Sequence, residues 1–92
     1  MVGQARADLV VRNVNGENIL RLMDTACVHG ETLGRIAPEL RSKFRKAQAT
    51  ISEVVVFGCW FDVPEAGAVF IVMEGSKGFA LDRAMLKVEP GV

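Results

Sequence analysis

The chain has 92 residues, half of them hydrophobic and 24% charged, with three prolines and two cysteines. That length and composition make one domain spanning residues 1–92 and exclude a disordered tail, and two cysteines are too few for a disulfide-stapled mini-protein. Eleven basic and eleven acidic residues cancel, so no overall field points to nucleic acid or to an anionic membrane surface.

The first eight residues, Met1 to Asp8, lack the apolar core of a secretory signal. Leu9 to Val14 is β-branched enough for a strand. Asn15-Gly16 then allows either a tight hairpin turn or a helix cap. Ile19, Leu20, Leu22, Met23, Ala26 and Cys27 fall on one face of a 3.6-residue helix, with Glu17, Arg21, Asp24 and Thr25 opposite. The sequence therefore predicts a first helix, closed at His29-Gly30. Leu33, Ile36, Leu40, Phe44, Ala47 and Ile51 repeat the helical spacing, interrupted by Pro38. They predict a short turn over 31–36 and a second helix from Pro38 to about Thr50, because proline suits a first helical position.

Beyond Thr50 the character changes. Residues 53–61 and 68–73 read as two apolar strands joined by a loop over 62–67, and 75–78 as a further turn. A third strand opens at Phe79, Asp82 to Met85 makes a helical turn, and Leu86 to Val88 resumes an extended run. The stretch from Val54 to Met73 has the length of a membrane span, but Asp62 and Glu65 at its middle would each cost about 2–3 kcal/mol in a bilayer. The fold expected is α+β, two helices packed on a mainly antiparallel three- to four-stranded sheet. The alternative is a small SH3-like barrel with N-terminal helices.

The two strands do not alternate. Pairing Phe61 with Ala68 puts Val55, Phe57, Cys59, Phe61, Phe70 and Val72 on one face. The other receives Val54, Val56, Trp60, Val69, Ile71 and Met73. Leaving either face wet would forfeit on the order of 10 kcal/mol. Two helices cover only one, so the second must meet another copy, close as a barrel, or hold a ligand. Self-association through Trp60, Val56, Ile71 and Met73 is the leading expectation, with a dimer preferred and a further protein partner allowed.

The sharpest polar feature is Arg35, Arg41, Lys43, Arg45 and Lys46 against one acid, Glu39. A basic helix face of that kind suits phosphates, so an accessory nucleic-acid-binding role is the first alternative. A small-molecule site near Trp60 and Met73 is the second. Catalysis ranks last, since His29 is the single histidine and Cys59 sits among apolar groups that keep a thiol inert. Cys27-Val28-His29 lacks the spacing of a zinc set, so no metal or cofactor is expected. Asp62 with Glu65 reads as turn formers, and Gly75-Ser76-Lys77-Gly78 as a hairpin turn rather than a phosphate nest. Both cysteines read as buried free thiols in a cytoplasmic protein, with a Cys27–Cys59 disulfide left open.

Overall fold

A computed structural model describes residues 7–12 and 17–90. The chain forms one seven-stranded antiparallel sheet in the order β6-β5-β4-β3-β2-β1-β7, curled into a half-barrel. The strands are β1 (Ala7–Arg12), β2 (Asn18–Ala26), β3 (Arg45–Ile51), β4 (Val54–Val63), β5 (Ala68–Met73), β6 (Phe79–Asp82) and β7 (Lys87–Pro90). One α-helical turn, α1 (Gly30–Leu33), and 3-10 turns at Pro38–Lys43, Pro64–Ala66 and Arg83–Met85 complete the described elements. Both sequence-based folds are thereby corrected. The sheet is larger than expected, and neither of the two helices forms.

The first predicted helix is β2. Asn15-Gly16 lies outside the described residues, but the strands it joins pair as a hairpin, from Leu9 opposite Leu22 to Arg12 opposite Ile19. Pairing with β1 on one side and β3 on the other outweighs the helical spacing. The second predicted helix starts where expected, at Pro38, but ends after a 3-10 run at Lys43. Phe44 is already extended (φ −87°, ψ 141°). From Arg45 onward the residues alternate, with Ala47 and Ala49 buried between Lys46, Gln48 and Thr50. That is a strand pattern written in good helix formers.

Curling follows from connectivity. β6 and β7 occupy opposite edges of the sheet, yet only residues 83–86 separate them in the chain. Five Cα steps reach about 18 Å at most. Seven strands laid flat would put those edges about 29 Å apart. The short connection is therefore compatible only with a curled sheet.

Each face of the sheet carries a core. Leu22, Ala47, Ala49, Trp60, Val69, Ile71 and Met73 form the inner cluster, with Leu81 and Leu86 packed against it from the two edges. Cys27, Ile36, Phe44, Cys59 and Val72 form the outer cluster, which includes residues of the segment between β2 and β3 and is packed by Leu33, Phe61 and Phe70. The phenyl rings of Phe44 and Phe61 lie 4.8 Å apart, and Phe61 meets Phe70 edge-on at 6.0 Å. The observed β4–β5 register places Val63, not Phe61, opposite Ala68. A shift of two residues keeps every side chain on its face. Val56, Trp60, Val69, Ile71 and Met73 therefore fall to the inner cluster, and Cys59, Phe61, Phe70 and Val72 to the outer one, as read from sequence. Val54, Val55 and Phe57 join neither and stay exposed.

Cys27 and Cys59 are bonded, with their Cα atoms 5.5 Å apart. The bridge ties the chain just past β2 to the middle of β4. The expectation of free thiols is corrected, and with it goes the observation on which the cytoplasmic expectation rested. Among the described residues no helix is long and apolar enough to cross a membrane.

Candidate functional site

The inner face is built in rows. Val11, Leu20, Ala49 and Val56 stand opposite one another across β1 to β4. Leu9, Leu22, Ala47, Gly58 and Met73 form the next row. Alanine and glycine at the centre keep the middle of this face thin, and Trp60 and Met73 fill the space beside them. At one mouth of the half-barrel the first row is left open, giving an apolar cavity of about 670 Å³. Its rim includes Ile51 at the β3–β4 tip, Phe79 on β6 and Met85 in the 3-10 turn, with 51%, 42% and 56% of their surfaces exposed. Exposed apolar groups converging on one concavity usually mark a binding surface.

The four residues expected at an interface are brought together, all in or against the inner cluster. Trp60 and Ile71 are buried within a single chain, and the indole Nε1–H donates to the carbonyl of Met23 at 2.9 Å. Val56 and Met73 line the mouth. The rim residues Ile51, Phe79 and Met85 carry no sequence signal for this site, because Ile51 fits the helical spacing and the other two stand in isolated short elements.

The five basic residues do not share one helix face, because the helix is absent. Arg35 donates to the carbonyls of Met73 (2.8 Å) and Ser76, pinning the β5–β6 turn. Arg41 donates to Ile36 at 2.9 Å. Arg45 pairs with Asp24 at 3.0 Å and lies over the Trp60 ring, 5.8 Å from its centroid. Lys43 is exposed on the 3-10 turn, and Lys46 lies beside a second cavity of about 680 Å³ that also touches His29, Gln48 and Phe57. Three of the five thus serve the fold.

Other ion pairs fasten the edges. The buried Asp8 carboxylate accepts from Arg21 at 2.8 Å across β1 and β2. Arg12 grips Glu89 with two hydrogen bonds of 2.7 and 3.1 Å, strapping β7 to β1. That contact holds the Glu89 carboxyl below its ordinary value and lifts the Arg12 guanidinium above its own. Asp62, read as a turn former, pairs with Arg83 at 2.8 Å, and Glu65 is exposed in the Pro64–Ala66 turn. With Cys59 in a disulfide, its thiol is not available as a nucleophile.

His29 has a more specific setting than sequence suggested. Its Nδ1 lies 2.8 Å from Oγ1 of the buried Thr32, and its Nε2 lies 3.8 Å from a Glu74 carboxylate oxygen. The chain matches no protein-family model, no curated protein and no solved structure.

Proposed function

We propose that this chain is a non-catalytic interaction module that associates with a second copy of itself through the apolar mouth of the half-barrel. The observation that carries the reading is the convergence of Ile51, Phe79 and Met85, each about half exposed, around one cavity. A convex rim beside a concave floor on the same patch is what a two-fold, self-complementary contact requires. The chain's zero formal charge puts no net repulsion between copies. Side chains rather than strand edges make the contact. Both edge strands are only four residues long, and β7 ends in Pro90, which blunts edge-to-edge addition.

Sedimentation velocity on the unmodified chain should give a dimer at micromolar concentration. Ile51→Glu and Met85→Glu should each yield a folded monomer, because both side chains are already half in water. A monodisperse monomer for the unmodified protein at about a hundredfold higher concentration would sink the proposal. The cavity volume favours one second reading, since about 300–1,000 Å³ is the range of small-molecule pockets. A folded monomer that takes up an apolar dye, and loses it on Met85→Glu, would replace self-association by ligand binding in the same mouth.

A further inference from the structure

We propose that His29, Glu31 and Glu74 form a binding site for one divalent transition-metal ion of the zinc type. The ligands would be His29 Nε2 and one carboxylate oxygen from each glutamate, with water in the fourth position. One ligand atom from each of the three residues lies within 4.8 Å of the others. Four-coordinate zinc, with bonds near 2.1 Å, wants its ligand atoms about 3.4 Å apart. His29 and Glu74 already stand at 3.8 Å, so only the exposed Glu31 side chain must swing inward.

Two of the three ligands are held from behind. His29 Nδ1 lies 2.8 Å from Thr32 Oγ1, and in the tautomer with the proton on Nδ1 that contact fixes the ring with Nε2 free to bind a metal beside Glu74. Thr32 is fully buried, so this support is rigid. Glu74 accepts from the Phe57 backbone N–H through Oε1 at 2.7 Å, which leaves Oε2 facing the histidine. The Glu74 backbone N–H in turn donates to the Phe57 carbonyl at 2.9 Å, so the residue is clamped twice against β4.

The two segments that supply the ligands are already joined. His29 and Glu31 belong to the stretch that the Cys27–Cys59 bridge anchors, and Arg35 ties that stretch to the turn carrying Glu74. Metal binding therefore costs little further chain ordering. Arg35 is the competitor, with its Nε 3.7 Å from a Glu31 oxygen. On metal binding it gives up only this loosest contact and keeps its carbonyl acceptors. Two carboxylates and a neutral imidazole balance a dipositive ion, and the nitrogen ligand selects zinc-like ions over magnesium or calcium.

The test uses tag-free, chelator-treated protein with its disulfide intact, titrated with Zn²⁺ alone by calorimetry and with Co²⁺ by visible absorption. One ion per chain is expected, with a Tm that rises on adding Zn²⁺ and millimolar Mg²⁺ unable to compete. Glu31→Gln, on an exposed side chain, should leave the fold intact, weaken binding tenfold or more and abolish the Tm rise. His29→Gln should abolish binding. Absence of saturable one-to-one uptake overturns the site. So does uptake unchanged in both variants, which would place the ion elsewhere on the chain.

Discussion

Gly58 shows how much one side chain, or its absence, controls here. It lies in the middle of β4, opposite Ala47 on one side and Met73 on the other. A Cβ at this position would stand 2.2 Å from the Val72 carbonyl oxygen and 2.7 Å from the Met73 Cα. Both atoms are backbone, so no rotamer change relieves the overlap. Gly58→Ala should therefore destabilise the protein by about 3 kcal/mol, the upper part of the range for overpacked cores. Urea denaturation with an unchanged m-value checks it. The sequence marks the glycine but not its reason, because the neighbour that fills the space comes from another strand.

At the scale of elements, β3 and β4 meet in a two-residue turn at Ser52-Glu53, and both residues have positive φ, 49° and 72°. The flanking strands need this left-handed geometry, yet neither side chain favours it. Replacing the pair by Asn-Gly, the residues suited to such a turn, should raise stability by about 1 kcal/mol. A higher urea midpoint at constant slope is the expected readout, and no change would mean the turn carries no strain. The same pair explains why the hairpin was illegible. Serine and glutamate send no turn signal, and Ala47, Gln48 and Ala49 send a helical one. In β2, Ile19, Leu20, Leu22 and Met23 fit a helix stripe, whereas the structure turns Leu20 and Leu22 inward opposite Ala49 and Ala47. The candidate metal ligands were hidden differently. His29 and Glu31 are close in sequence, but Glu74 reaches them only through the β4–β5 pairing that sets it beside Phe57.

At the scale of the molecule, five of the six strand pairings among the described residues join strands consecutive in the chain, and the Cys27–Cys59 bridge closes a loop across a separation of 32 residues. Such a loop restricts the unfolded chain by about 3–4 kcal/mol. Reduction should lower stability by that amount in urea, and a midpoint indifferent to reductant would show that the bridge contributes nothing. More than half of the described residues are strand, so the far-ultraviolet circular dichroism should be dominated by sheet.

Local chemistry determined where the chain turns late in its length and which faces of β4 and β5 are apolar. The Pro64–Ala66 and Gly75–Gly78 turns, the strand from Phe79, the 3-10 turn after it and the final strand are all legible in residues 62–90, because proline, glycine and β-branched runs act on their own neighbours. The strand over residues 9–12 was legible in the same way, but residues 18–51 were decided by tertiary structure. Their apolar spacing satisfies a helix and a strand alike, and only the partners on either side choose between them. The excess of apolar surface, visible in the sequence, was also resolved there. Curling the sheet and bridging Cys27 to Cys59 buries an apolar cluster on each face within one chain. Among the described residues it leaves Ile51, Phe79 and Met85 exposed at the mouth, with Val28, Leu40, Val54, Val55, Phe57 and Val88 exposed elsewhere. Burial is a long-range property, so no local pattern could assign it.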